Sequence, residues 1–202
     1  MKKIASTWTI IGALLFGTAA CNQEKGAVEE AQEVNEQRVE DTPMEEQVDE
    51  ASEFMTKAAS GGMMEVELGN LAQQKAQSPD VKDFGKMMVT DHTKANDQLK
   101  QLAAQKNITL PDSMSDKHMD HVKELREKAG ADFDDAYMDL MVSDHEEDVE
   151  LFKDAAEDLE DAEIKNFAAT TVATLQKHLD RARQINDALD GDNTNAGTPA
   201  DQ

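Results

Sequence analysis

The sequence from residue 78 to residue 102, SPDVKDFGKMMVTDHTKANDQLKQL, contains a helix start followed by a complete amphipathic helix. Ser78 suits the cap position, and Pro79 suits the first helical turn, where a missing N–H costs nothing. Apolar residues then recur at three- and four-residue steps, which is the spacing of one helix face. One ionisable residue, His92, interrupts that face. The face consists of Val81, Phe84, Met88, His92, Ala95, Leu99 and Leu102.

Three further segments have the same periodicity. We expect three further helices. One spans about residues 52 to 77, one begins at about residue 131, and one ends at about residue 189. The apolar face of the first of these helices consists of Phe54, Ala58, Gly61, Glu65, Leu68, Ala72 and Ala76. That of the second consists of Phe133, Tyr137, Met141, His145, Phe152 and Ala155. That of the third consists of Ile164, Phe167, Thr171, Leu175, His178, Ala182, Ile185 and Leu189. Four such helices of about 26 to 29 residues predict an all-α protein with a four-helix bundle.

The connections predict how the helices are joined. The first and third connections are very short, so each flanking helix pair should form an antiparallel hairpin. The second connection, from about Asn107 to Gly130, contains Pro111 and a predicted short helix from Ser115 to Lys128. A helix of this size is about 40 Å long, and this connection could return along that length. Two hairpins joined by a long crossover form the ferritin-like arrangement.

The two ends of the chain differ in composition from the predicted bundle. Residues 1–20 resemble a lipoprotein-type signal peptide, with Lys2 and Lys3 before an apolar run and small residues before Cys21. We therefore expect acylation of Cys21, although ordinary secretory cleavage after Ala20 remains an alternative. Residues 21–51 are acidic and poor in large apolar side chains, which predicts a disordered tether. The bundle domain should span residues 52–190, with a disordered tail over residues 191–202.

Composition excludes several classes of function. The formal charge of −23 argues against binding to nucleic acid or electrostatic docking on anionic lipid, since both are polyanionic. Cys21 is the only cysteine, which excludes an intrachain disulfide and a thiolate metal site in the bundle. No nucleophile elbow or phosphate-binding glycine loop is present, so a hydrolase has no support, and we expect a binding protein rather than an enzyme.

Each predicted bundle helix carries one ionisable residue within its apolar face: Glu65, His92, His145 or His178. Glu65 and His92 lie 13 and 14 residues from Ser78, whereas His145 and His178 lie 16 and 17 residues from Asp161. Similar distances from the turns predict that all four lie near one level. Buried groups of this kind are costly unless they are paired or bound to a metal.

Three imidazoles and one carboxylate suit a single divalent transition metal, namely copper, zinc or iron. Met88 and Met141 each lie one turn before a histidine, and their thioethers would favour copper. Asp91 and Asp144, which directly precede His92 and His145, could accept hydrogen bonds from imidazole N–H groups around the metal.

A buried Glu–His hydrogen-bond network without metal would give the same pattern, so two interpretations remain open. Two other features have simpler explanations. His118 and His121 have a chelating spacing, but we expect both to be exposed on the crossover helix. Gly61 and Gly62 indicate a kink or a close helix contact.

These residues together resemble the secreted bacterial family called domain of unknown function 4142. The similarity covers about residues 54–189. It lies in Gly62 to Leu68, Met88 to His92, Phe133-Asp134, Tyr137, Met141, His145, Phe152 and His178-Leu179. The resemblance implies a ferritin-like four-helix bundle and a location in the cell envelope, with the four ionisable residues as core polar positions.

The chain departs from the di-iron ferritin-like enzymes, which use a Glu-x-x-His pair on each of two helices. Here Val89, Val142 and Leu175 stand three residues before the histidines, so di-iron chemistry is not expected. We expect a lipid-anchored envelope protein, in the outer membrane or on the periplasmic face, that acts as a binding or stress-related module with one metal site. The alternative is a structural or interaction domain whose core residues form the hydrogen-bond network.

Overall fold

A computed structural model describes residues 25–196, and every regular element in that range is a helix. The predicted signal peptide and the acylated Cys21 lie outside the described residues. The six helices are α1 (Ala27–Val39), α2 (Glu45–Lys75), α3 (Pro79–Lys106), α4 (Asp116–Glu127), α5 (Ala131–Asp158) and α6 (Ala162–Ala196). For residues 192–196, only the backbone is described. No described helix is both long and apolar enough to cross a membrane.

Helices α2, α3, α5 and α6 form the predicted ferritin-like bundle, so the expected fold class is confirmed. Helices α2 and α3 form one antiparallel hairpin, and α5 and α6 form the other. The crossover between them contains α4, which begins at its predicted cap, where the Ser115 hydroxyl accepts a hydrogen bond from the backbone N–H of His118. Asp134 of α5 accepts hydrogen bonds from the N–H groups of Gln77 and Ser78 and so ties the second hairpin to the first turn.

The predicted tether contains a helix, and the expectation of disorder over residues 21–51 was wrong for its described part. Helix α1 packs on α2, and α2 itself begins seven residues earlier than predicted, at Glu45. Buried Asn35 donates hydrogen bonds to the Ser52 hydroxyl at 2.7 Å and the Thr109 carbonyl at 2.9 Å, and it accepts one from the Thr109 N–H. These long-range hydrogen bonds order a segment with too little apolar surface to order itself.

The tail prediction also needs a correction, because α6 continues from Gly191 to Ala196 as helix. Residues 197–202 lie outside the described range. Within the first hairpin, Gly69 and Gly85 allow α2 and α3 to approach each other closely. A Cβ atom on Gly69 would lie 2.6 Å from the Gly85 carbonyl oxygen, so any larger residue would force α2 and α3 apart.

Two apolar clusters fill the bundle. The phenylalanine cluster contains Phe54, Phe152 and Phe167 with their aliphatic neighbours, and the methionine cluster contains Met64, Met88, Met138 and Met141 with Phe84 and Tyr137. On α3, Met88 of one cluster and Leu99 of the other stand on either side of His92. The ionisable residues therefore form a polar layer between two apolar ones.

Candidate metal centre in the bundle core

The four predicted core residues come together in the polar layer. Glu65, His92, His145 and His178 are each at most 6% exposed. The ring centroids of the three histidines lie 5.3 to 5.7 Å apart. One ligand nitrogen from each histidine lies within 4.8 Å of the others. The three imidazoles thus face one another across the bundle.

One nitrogen of each imidazole ring faces an acceptor. His145 Nδ1 donates to the Met141 carbonyl oxygen at 2.9 Å, and His178 Nε2 donates to Asp91 Oδ2 at 3.0 Å. His92 Nδ1 lies 2.5 Å from Glu65 Oε2. An acceptor on one ring nitrogen fixes the tautomer and leaves the other nitrogen with a lone pair.

The opposite ring nitrogens are buried and lack hydrogen-bond partners. These atoms are His92 Nε2, His145 Nε2 and His178 Nδ1. Buried polar atoms without partners are rare in folded proteins, and each one calls for an explanation. Three of them lie here on imidazole rings that face one another.

Glu65 and Asp144 add carboxylate oxygens beside the imidazoles. Glu65 Oε1 lies 3.4 Å from His145 Nε2, yet neither Glu65 oxygen makes a hydrogen bond of good geometry. One ligand atom each from Glu65, Asp144 and His145 also lies within 4.8 Å of the others. Asp144 is half-buried overall, but its Oδ2 atom is buried without a partner.

The electrostatics of the layer follow from its burial. Burial lowers the pKa of His92 and of His178 to about 4, and burial together with the two neighbouring imidazoles lowers the pKa of His145 well below its ordinary value. Burial raises the pKa of Glu65 well above its ordinary value, and burial together with the charge of Glu65 does the same for Asp144. The rings are therefore neutral near pH 7, which is the protonation state that binds metals.

Asp148 is a third carboxyl group near the layer that the sequence interpretation missed. Burial and the nearby charges of Glu65 and Asp144 raise its pKa. Among the described residues, no ion pair joins a lysine or arginine to Glu65, Asp144 or Asp148. Its position three residues after His145, on the same side of the helix, was a signal that could have identified it.

Asp91, Met88 and Met141, which were predicted to lie around the metal, make different contacts from those expected. Asp91 contacts His178 of the opposite hairpin, since side chains of adjacent residues such as Asp91 and His92 point about 100° apart. Met88 and Met141 are fully buried in the methionine cluster. Met141 contributes its backbone carbonyl to the site.

A small cavity adjoins the layer on the side of the phenylalanine cluster. Its volume is about 20 Å³, enough for one water molecule, and its lining includes Gly62, Glu65, His92 and Asp148. A site with three imidazoles and one such space could hold a four-coordinate ion with a water or carboxylate as the fourth ligand.

The fold and the core define the class of protein: an all-helical ferritin-like bundle with a buried histidine–carboxylate layer. The chain belongs to the family described as domain of unknown function DUF4142, whose model matches residues 35–185. No curated protein matches the sequence. A crystal structure of a secreted DUF305 protein from Streptomyces coelicolor is similar in fold, with a TM-score of 0.56 and 16% identity over 68% of this chain and 91% of that one.

Proposed function

We propose that the protein binds one transition-metal ion in the polar layer, with His92, His145 and His178 as ligands. The observation that carries the proposal is the set of three buried ring nitrogens without partners, on rings whose other nitrogens face acceptors. In metal sites, a ligating histidine almost always donates its second N–H to a carboxylate or carbonyl. Asp91 and the Met141 carbonyl make this contact.

The donor set limits the choice of ion. Neutral imidazoles with one carboxylate suit zinc, copper or iron rather than magnesium or calcium, which prefer oxygen ligands. Glu65 supplies the carboxylate through Oε1, which makes no hydrogen bond, while its Oε2 faces His92 Nδ1 at 2.5 Å. Negative charge on Glu65 and Asp144 would balance the charge of a divalent cation.

The competing proposal is a structural hydrogen-bond network without metal, and the contact of 2.5 Å between Glu65 and His92 supports it. A network that stabilises a core has all its members satisfied, because each unpartnered buried atom costs free energy. The polar layer leaves several such atoms, and this favours the metal site. The network proposal predicts that Glu65→Gln lowers the free energy of unfolding without changing affinity for any ion.

Elemental analysis of loaded protein tests the proposal. The purified chain is incubated separately with Zn²⁺, Cu²⁺ or Fe²⁺, passed through a desalting column, and assayed for bound metal. We expect about one ion per chain for at least one of these metals, with loss of that ion in His92→Ala. His121→Ala, on α4 and outside the polar layer, is the matched control and should bind as the wild type does. Absence of stoichiometric metal, or equal binding by His92→Ala, would refute the site.

We further propose that the protein is exported and anchored in the cell envelope through an acylated Cys21. The basic and apolar pattern of residues 1–20 supports export, as does the fold similarity to a protein described as secreted. Labelling of cells with radioactive palmitate should mark the wild-type protein and leave Cys21→Ser unlabelled. An exported but unlabelled wild-type protein would indicate ordinary secretory cleavage instead.

A further inference from the structure

A second, larger cavity leads from the surface toward the polar layer. Its volume is about 340 Å³, and it lies between α1, α2, α5 and the beginning of α4. Lys57 and Lys117 line it, as do Gly61, Asp144 and Asp148. Asp144 is one of the carboxylates beside His145, so this cavity reaches the edge of the candidate metal centre.

The outer cavity and the small inner cavity share one residue, Asp148. Two adjacent glycines of α2 also line these spaces, Gly61 the outer cavity and Gly62 the inner one. A Cβ atom on Gly61 would meet nothing closer than 3.9 Å, the distance at which both Asp148 Oδ1 and His118 Cε1 lie. The space beside these two side chains therefore accepts a methyl group at residue 61 in ordinary van der Waals contact, whereas a larger side chain would extend into it.

We infer that the outer cavity is the route by which a divalent transition-metal cation enters the core site, and that Asp148 is the carboxylate that passes the cation inward. This inference rests on the proposed function. It assigns a role to Gly61, His118 and Asp148, none of which is needed as a ligand in the final site.

The charges along the cavity suit a cation. Both lysines at the mouth are paired, Lys57 with Glu53 at 2.5 Å and Lys117 with Glu147 at 3.1 Å, so neither opposes entry with its full charge. The unpaired carboxyl groups of Asp144 and Asp148 lie further in. Clefts lined with charge of one sign increase the local concentration and association rate of ions of the opposite sign.

His118 is held in place at the opening. Its Nδ1 atom and the Ser60 hydroxyl lie 2.8 Å apart, and the same hydroxyl accepts a hydrogen bond from the backbone N–H of Ser115. A hydroxyl oxygen has two lone pairs, so it can accept from the His118 Nδ1–H as well as from Ser115, which leaves His118 Nε2 with a lone pair. His118 is thus an ordered imidazole, a suitable transient ligand for zinc, copper or iron.

Two other cavities share lining residues with the inner space, a pocket of about 30 Å³ at Asn96 and Leu99 and a larger groove at Asn96, and the groove is the competing route. This groove of about 600 Å³ lies between α2, α3 and the crossover, and it meets the inner cavity at Asn96. The Asn96 amide occupies the position that a Cβ atom on Gly62 would take, so it closes the passage. The groove is also lined by carboxylates, namely Glu67, Asp97 and Asp112, but where it meets the inner space it offers the neutral Asn96 amide, which attracts a cation less strongly than the Asp148 carboxylate does.

The test is the rate of Co²⁺ uptake by the metal-free chain, followed by stopped-flow absorbance, together with equilibrium affinity from competition titration. Gly61→Leu should fill the opening and slow uptake several-fold with unchanged affinity. Gly61→Ala is the matched control, since its methyl group fits the open space. Ser113→Leu places the same bulk in the competing groove. Both controls should load at the wild-type rate.

Asp148→Asn tests the carboxylate without added bulk. We expect its uptake rate to fall about tenfold, the lower end of the range for electrostatic attraction in a charged cleft, with a much smaller change in affinity. This variant also keeps the test decisive if Gly61→Leu fails to give the wild-type circular dichroism spectrum.

The outcomes separate the route from the site. A wild-type chain that binds no Co²⁺, Zn²⁺, Cu²⁺ or Fe²⁺ overturns both the metal site and its route. A wild-type chain that loads Co²⁺ while folded Gly61→Leu and Asp148→Asn load equally fast overturns the route alone. Slower loading by Ser113→Leu, with normal loading by Gly61→Leu, assigns entry to the competing groove and also overturns the proposal.

Discussion

The phenylalanine cluster and the polar layer are neighbouring parts of one core, yet they are built in opposite ways. In the phenylalanine cluster, the ring of Phe54 lies edge-on to that of Phe152, with centroids 5.0 Å apart, and packs on Phe167. No polar atom needs a partner there. In the polar layer, by contrast, three imidazoles are packed against one another with ring nitrogens left unsatisfied.

Under the proposed function, the phenylalanine cluster serves folding and the polar layer serves a ligand. Burial of apolar area stabilises the fold in proportion to that area. Burial of ionisable groups costs free energy unless the groups are paired or bound. The four helices could have continued the apolar cluster through the middle, and replacement of a buried polar cluster by apolar residues is often neutral or stabilising. The layer is therefore a cost to stability that metal binding would offset.

The largest expected effect comes from making the polar layer resemble the phenylalanine cluster. His145→Phe keeps an aromatic ring beside Phe84, whose centroid lies 6.4 Å away, but removes both ring nitrogens. We expect affinity for the metal to fall by more than about 100-fold, beyond the usual effect of losing an outer hydrogen bond. The free energy of unfolding of the metal-free chain should remain within about 1 kcal/mol of the wild type or rise.

Competition titration and urea denaturation measure these two quantities. His121→Phe is the matched control, because it makes the same substitution on α4, away from the core. A His145→Phe chain that binds metal as the wild type does would remove the functional distinction between the two regions.

The reverse substitution truncates the apolar region. Phe54 is 4% exposed, and Phe54→Ala should lower the free energy of unfolding by about 3–5 kcal/mol through lost burial and an incompletely filled cavity. The folded fraction should bind metal with wild-type affinity, because Phe54 does not line the inner cavity. Denaturation in the presence and absence of metal separates the two effects. Weakened binding by fully folded Phe54→Ala would mean that the two regions are coupled.

A pH titration of metal-free protein sharpens the contrast between the two core regions, because the polar layer contains titratable groups and the phenylalanine cluster does not. The pKa of His178 is about 4 in the folded chain and about 6.5 in an unfolded one. The unfolded state therefore binds the extra proton between these values, and stability from this group is lost as the pH falls from 6.5 to 4. The loss should be on the order of 3 kcal/mol.

Glu65, Asp144 and Asp148 have raised pKa values, so their contribution to stability increases as the pH falls. Comparison with His178→Asn separates the contribution of His178 from theirs. The wild type should lose stability relative to His178→Asn as the pH falls, whereas Phe54→Ala should differ from the wild type by a constant amount. A constant difference for His178→Asn as well would show that the imidazole is not buried as described.

The sequence predicts the bundle well because its signals are local. Helical periodicity, the cap at Ser78 and the short turns at residues 78 and 161 give the hairpins and the level of the four core residues. The same reasoning fails for α1, where Asn35 is ordered by hydrogen bonds to Ser52 and Thr109. Partners so distant in the chain leave no trace in local composition.

The site is predictable only in part for a similar reason. The identity of its four core residues follows from their positions on apolar faces. Which acceptor serves which imidazole depends on how the helices are rotated against one another. Asp91 therefore contacts His178 of the other hairpin rather than its neighbour His92, and the shared position of Asp148 between two cavities has no sequence signal beyond its helical spacing.

The smallest expected effect concerns this contact at the edge of the polar layer. Asp91→Asn keeps the size of the side chain but removes its charge, and Asp91 is the acceptor that orients His178 at 3.0 Å. Loss of such an outer partner typically weakens metal binding about 10- to 100-fold. Because Asp91 is half-exposed, its replacement should change the free energy of unfolding by less than about 1 kcal/mol.

Asp97→Asn is the matched control, since Asp97 is an exposed carboxylate on the same helix with no contact to the layer. Competition titration of both variants gives the comparison. If Asp91→Asn weakens binding while Asp97→Asn does not, the effect comes from the orientation of one imidazole and not from the general negative charge of the surface. Equal affinities for the two variants would mean that His178 is oriented by its packing alone, as the rings of the phenylalanine cluster are.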